Sequence, residues 1–122
     1  MNKKLEIKLV EDFPKAFSEY GKPPNESCMA FGCACGDGWE PLIRKVCGRL
    51  SPNATLAQVK EKFGRLRIYL QYGTLEDNDL CWEAELASAK ICEFCGEPGK
   101  EISGSWIKTL CPKCAKEREK RI

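Results

Sequence analysis

Cys92-Glu-Phe-Cys95, the fifteen residues from Gly96 to Leu110, and then Cys111-Pro-Lys-Cys114 set two Cys-x-x-Cys pairs at the spacing of a four-thiolate metal site. Two intervening residues let both sulfurs of a pair reach one ion from a tight turn. Two such turns complete the tetrahedron that Zn²⁺ takes from thiolates. Gly96 follows the first pair and can supply the positive φ that a metal-binding knuckle needs. The expected cofactor is therefore Zn²⁺, one ion held by Cys92, Cys95, Cys111 and Cys114. Four thiolates leave no open position for water or substrate, so such an ion folds its segment rather than carrying out a reaction.

Four more thiols, Cys28, Cys33, Cys35 and Cys47, fall within twenty residues and could hold a second ion. Their gaps are irregular, and Cys47 lies on an apolar helix face where a free cysteine behaves as a small hydrophobe. Asp37 and Gly38 precede a helix with Pro41 in its first turn. Asp37 reads most simply as a cap or turn former and Trp39 as the first buried residue of that helix, the alternative being a ligand pocket built from Asp37 and its neighbouring amides.

Catalytic chemistry finds little support. The chain has no histidine, which removes Ser-His-Asp and Cys-His nucleophiles and histidine-dependent metal hydrolysis. It has no Gly-rich phosphate loop ending in Lys-Ser/Thr. Cys81-Trp-Glu83 followed by Cys111-x-x-Cys114 superficially resembles the zinc nucleobase-deaminase pattern, with Glu83 as proton shuttle. That assignment leaves Cys92 and Cys95 idle, although they pair better with Cys111 and Cys114.

A binding role has two candidate surfaces. Lys60, Lys62, Arg65 and Arg67, interleaved with Tyr69 and Tyr72, would set cations and rings on a sheet face suited to phosphates and bases. The ordinary reading is a solvated sheet face, which favours the same residue types. Lys113, Lys116, Arg118, Lys120 and Arg121 form a second basic cluster beside the metal ligands.

The elements that would position these groups follow from periodicity. Leu5, Ile7 and Leu9 alternate with charged residues, predicting a half-buried strand over 4–10. A helical turn or two should follow from Phe13 to Tyr20, then a loop over 21–38. Trp39, Leu42, Ile43, Val46, Cys47 and Leu50 form the stripe of a helix over about 40–50. Residues 57–72 are the β heart of the chain. Its apolar residues switch from odd to even positions at Gly64, implying a bulge or tight turn there. A helix from Asn78 or Asp79 to about Lys90 should bury Leu80, Ala84, Ala87 and Ile91. Between the Cys pairs, two short strands flank Ser103-Gly104-Ser105, with Trp106, Ile107 and Leu110 offering a small core. A helix opens at Pro112. The order knuckle, hairpin, helix resembles a treble clef.

At 122 residues and 43% hydrophobic content, one modest core can form. The expected fold class is α+β: a small sheet with two packed helices plus a C-terminal treble-clef-like four-cysteine finger. Residues 1–90 form the body, with 1–34 hard to assign, and 91–122 the finger packed on it. The net charge of +2 is no signature of nucleic-acid binding, but its distribution is uneven. Residues 73–99 carry seven acids against one lysine, and 100–122 seven basic residues against three acids. Nine cysteines without an N-terminal apolar signal segment predict a reducing, cytoplasmic setting, and no run reaches transmembrane length.

Three blocks together resemble a group of bacteriophage and prophage proteins of uncharacterised function: Cys35-Gly-Asp-Gly-Trp-Glu-Pro-Leu-Ile43, Val59-Lys-Glu-Lys-Phe-Gly-Arg-Leu-Arg-Ile-Tyr69, and Cys92-Glu-Phe-Cys-Gly-Glu-Pro-Gly99 with Trp106-Ile-Lys-Thr-Leu-Cys111. The likeness covers roughly residues 35–114. Some of these proteins place a histidine where Cys114 stands, which still supplies a zinc ligand. The resemblance implies a phage or prophage setting and a zinc module, and nothing catalytic. The expected function is non-catalytic binding of a macromolecule in the bacterial cytoplasm. A host or defence-system protein is the favoured partner and nucleic acid the alternative.

Overall fold

A computed structural model describes residues 1–104 and 106–120. Ser105 of the expected strand-flanked turn and Arg121 of the C-terminal basic cluster lie outside the described residues. The fold is α+β, with a small sheet and four helices: the two expected in the body, the one expected at Pro112, and a further one near the N-terminus.

The β hairpin is the centre of the body. Strand β2 (Thr55–Lys62) pairs antiparallel with β3 (Arg65–Gln71), Lys62 facing Arg65 across a two-residue turn of Phe63 and Gly64. Both turn residues have positive φ, 53° and 80°, the combination that matches the twist of a tight hairpin. The parity switch is thus a turn. Phe63 occupies a turn position and is 65% exposed rather than continuing the apolar face of Val59. A second irregularity, between Leu56 and Gln58, lets both Leu56 and Val59 point into the core. Strand β1 (Cys33–Ala34) lies parallel to β2, with Cys33 opposite Val59.

The expected strand over 4–10 is instead a helix, α1 (Lys3–Asp12), capped by the Asn2 side chain. The alternation misled because one of the polar residues is buried. Glu6 accepts the Cys33 N–H at 3.0 Å and the Tyr20 hydroxyl at 2.6 Å, so it lies beside Leu9 on the inner face while Ile7 is exposed. A buried carboxylate supplied with donors is tolerated where an unpaired one is not. Residues 14–20 form successive turns, as expected, and the loop over 21–38 contains two 3₁₀ turns, Cys28–Phe31 and Asp37–Trp39.

Helix α2 (Glu40–Cys47) buries Ile43, Val46 and Cys47. Trp39, wholly buried, sits in the turn before it, and the helix stops at Gly48, short of the expected residue 50. Helix α3 (Leu75–Ser88) begins three or four residues before the expected start at Asn78 or Asp79. Thr74 and Asp77 form a reciprocal capping box, and Asp77 also accepts the Ser51 N–H at 2.9 Å. The deepest residues of α3 are Asp77, Cys81, Ala84, Glu85 and Ser88, so the buried side is rotated from the expected stripe. Ser88 explains the rotation: its Oγ accepts the Leu66 N–H at 2.9 Å, seating α3 along the open edge of β3. Trp39, Leu9, Met29, Ile43, Leu56, Leu66 and Val59 fill the core.

Candidate metal centre

The C-terminal segment builds a second, smaller core around Cys92, Leu110 and Cys111. Strands β4 (Lys100–Ile102) and β5 (Lys108–Leu110) pair antiparallel, and α4 (Pro112–Lys120) follows with Pro at its first position, where a missing N–H costs nothing. Trp106, expected in this small core, is 67% exposed, and Leu110 takes the interior place. The first knuckle closes through Cys92 N–H to Glu97 O (2.7 Å) and Gly96 N–H to Cys92 O (3.0 Å), with Gly96 at φ 82°. The second closes through Ala115 N–H to Cys111 O (2.9 Å) and Cys114 N–H to Cys111 Sγ (3.4 Å).

These two turns bring the sulfurs of Cys92, Cys95, Cys111 and Cys114 within 4.8 Å of one another. Sulfurs about 2.3 Å from a tetrahedral ion stand about 3.8 Å apart. Cys95 and Cys111 Sγ are already at 3.5 Å. The four sulfurs fit one metal ion. Burial pushes the Cys92 thiol up, but backbone N–H groups of Cys95, Cys111 and Phe94 outweigh it and hold the thiol down at about 7. Burial and hydrogen bonding with the other three sulfurs push the Cys114 thiol well up. Thiolates crowded this closely repel, and a dication is what lets all four ionise together.

Among the described residues, this is the one place where three or more ligand atoms of histidine, cysteine, aspartate or glutamate come together. Cys28 is exposed, and Cys33, Cys35 and Cys47 are buried in the body. Burial raises the Cys33 thiol and lifts Cys35 and Cys47 to about 12, and the four thiols do not come together as ligand atoms. Cys81 is likewise buried in the body, raised to about 11 chiefly by burial, while Glu83 is exposed. Cys111 and Cys114 share their cluster with Cys92 and Cys95, not with Cys81.

What sequence reasoning missed is how the centre is fastened. Glu93, between the first two ligands, is buried, and its Oε2 accepts the Gly36 N–H at 3.0 Å while its carbonyl accepts the Gly38 N–H at 2.7 Å. Trp39 Nε1 donates to Ile91 O at 2.9 Å. The backbones meet so closely that a Cβ on Gly38 would lie 2.1 Å from Cys92 O. Asp37 caps nothing; its Oδ1 accepts the Asn2 N–H at 2.6 Å and ties α1 to the same turn. The amides that an Asp37 pocket would have offered a ligand are engaged by Glu93. On the other side, Lys108 reaches Glu61 (3.1 Å) and Glu93 (3.3 Å), and Thr109 Oγ1 donates to Gly64 O at 2.6 Å. The blocks at 35–43 and 59–69 thus converge on the metal knuckle. Glycines on both sides of Asp37 were the available signal.

The basic residues divide. Lys60, Lys62, Arg65 and Arg67 share one face of the hairpin, but Arg65 and Arg67 pair with Glu85 of α3 at 3.8 and 3.4 Å. Lys60 lies 5.8 Å from the Tyr69 ring centroid and Lys62 5.7 Å from that of Phe63. On α4, Lys113 and Lys116 are exposed, and Arg118 donates to Trp106 O at 2.5 Å. No helix among the described residues is long and apolar enough to cross a membrane. Comparison with protein-family models, curated proteins and solved structures finds no match for the chain.

Proposed function

We propose that the chain is a non-catalytic, zinc-stabilised phage or prophage protein that binds a host or defence-system protein in the bacterial cytoplasm. The observation that carries the reading is the four-sulfur cluster. It fits one tetrahedral ion with no ligand position left over, and it is hydrogen-bonded into the body through Glu93 and Thr109. Zinc suits four thiolates better than the oxygen-seeking divalent cations do. The order of knuckle, β4–β5 hairpin and α4 carrying the last ligand supports a treble-clef arrangement. No catalytic constellation is assigned, and the separation of Cys81 from the cluster weighs against a deaminase.

Between protein and nucleic acid, the charge pattern favours protein. Two of the four hairpin cations are paired with Glu85, and Lys108 beside the metal knuckle is held between two carboxylates. Lys60 over Tyr69 and the exposed Lys113 and Lys116 remain the basis of the nucleic-acid alternative. Purification of the tagged protein from bacterial lysate, with and without nuclease, separates the two. The reading predicts a stoichiometric protein that survives nuclease. Co-purifying nucleic acid that high salt removes would replace it with the alternative.

A further inference from the structure

Helix α3 has apolar residues on two sides. Cys81, Ala84 and Ser88 face inward. On the outside, Leu75, Trp82 and Leu86 recur seven and four residues apart, which places them on one strip of the helix surface, and they are 81%, 54% and 44% exposed. Apolar side chains scattered singly over a surface are ordinary; here Trp82 and Leu86 are one turn apart, with Leu75 two turns before Trp82 on the same side, an alignment that a docking surface would use. Along one flank stand Glu76, Asp79 and Glu83, all exposed. Among the described residues none of the three lies within ion-pair distance of a cation. Along the other flank a groove of ≈170 Å³ runs between α3 and β3, lined by Tyr69 and Trp82 together with the Arg67–Glu85 ion pair.

We infer that this face of α3 is the docking surface for a basic, amphipathic segment of another protein. A large apolar side chain of that segment would enter the groove between Tyr69 and Trp82, and its Lys or Arg residues would meet Asp79 and Glu83. The inference rests on the protein-binding reading above and narrows it to one surface and one partner chemistry. Charge decides the occupant. The unpaired acids repel phosphate backbones and anionic lipid surfaces and attract cationic side chains. The basic helix α4 of a second copy, Pro112–Lys120, fits poorly, since it offers Lys113 and Lys116 but no large apolar side chain to set into the groove; its hairpin tip, with Phe63 exposed between Lys62 and Arg65, is the competing occupant that sedimentation tests.

The test uses the zinc-loaded full chain as bait for a displayed library of random peptides, followed by calorimetric titration of a synthesised winner. Winners should carry an aromatic or leucine residue flanked by Lys or Arg. Trp82→Ala should weaken the binding by at least about tenfold, as loss of a central aromatic anchor does. Glu83→Lys should weaken it several-fold, whereas Ile7→Ala, an exposed truncation on α1, should leave it unchanged. Trp82 and Glu83 are exposed, and unchanged metal content and melting temperature would verify that the variants fold. Peptides that bind regardless of Trp82→Ala would overturn the α3 assignment while leaving the broader protein-binding reading standing. Self-association in sedimentation that Trp82→Ala abolishes would make a second copy the occupant and overturn it too. An absence of peptide winners, with salt-sensitive oligonucleotide binding in their place, would sink both readings.

Discussion

The five cysteines of the body and the four of the C-terminal module are the same residue put to opposite uses. Cys33, Cys35, Cys47 and Cys81 are packed in the body among apolar neighbours, and burial there holds their thiols protonated. Cys92 is no less buried, yet three backbone N–H groups aim at its sulfur and hold its thiol down at about 7. Burial therefore does not decide whether a cysteine is a ligand. What sets the cluster apart is that two knuckle turns bring four sulfurs within 4.8 Å of one another, whereas the body thiols do not gather. The two regions also differ in what places their cysteines: side-chain packing in one, and in the other two knuckle turns that set four sulfurs close enough to hold one metal ion.

Metal removal would break that contrast most sharply. Structural zinc contributes on the order of 10 kcal/mol to the folding of small fingers. A chelator should abolish hydrogen-exchange protection across residues 92–114 and at the Gly36 and Gly38 amides, whose acceptors are on Glu93, while β2 and β3 stay protected. Simultaneous loss in the hairpin would make the two regions a single cooperative unit. Glu93→Ala should come next. It strands the Gly36 N–H and removes one of two carboxylates from Lys108, at a cost of about 2–3 kcal/mol in urea denaturation.

Two smaller effects sharpen the comparison from the body side. Cys47→Ala should cost only about 1 kcal/mol and leave bound zinc at one ion per chain by mass spectrometry. Cys95→Ser should instead reduce the zinc content. A loss of metal from the Cys47 variant would draw the body thiols into the site. Acid should act weakly and on the body. The Ser51 hydroxyl, then the Thr74 and Ser51 amides, hold the Asp77 carboxyl at about 2, below its ordinary value. A depressed carboxyl contributes stability that is fully present above about pH 5 and is lost as pH falls through about 4 toward 2. Asp77→Asn should flatten the acid limb of a melting-temperature profile over that window.

The gathering of Cys92, Cys95, Cys111 and Cys114 was legible because Cys-x-x-Cys is a local constraint, with both sulfurs placed by one turn. The β character of residues 57–72 and the break at Gly64 were legible through the parity switch, which left bulge and turn open, and α2 through its apolar stripe. What failed was whatever depended on a polar residue being buried. Glu6 looked like the solvent face of a strand, and a carboxylate satisfied by Cys33 and Tyr20, far away in sequence, made it the inner face of a helix. Glu93 read as a spacer between two cysteines, yet the two amides it accepts, those of Gly36 and Gly38, are more than fifty residues upstream. Periodicity registers apolar burial alone, so a hydrogen-bonded carboxylate in the interior leaves no mark in the pattern.

The separation of Gly36 from Glu93 is 57 residues along the chain. A ribosome adding about 5–20 residues each second exposes the Gly36–Trp39 turn roughly 3–11 seconds before its acceptor is made. Throughout that interval the nascent body holds two amides and an indole N–H that only solvent can satisfy. Residues made more than fifty positions later then close a surface laid down earlier, so this joint is completed by a late arrival rather than by a gradual condensation.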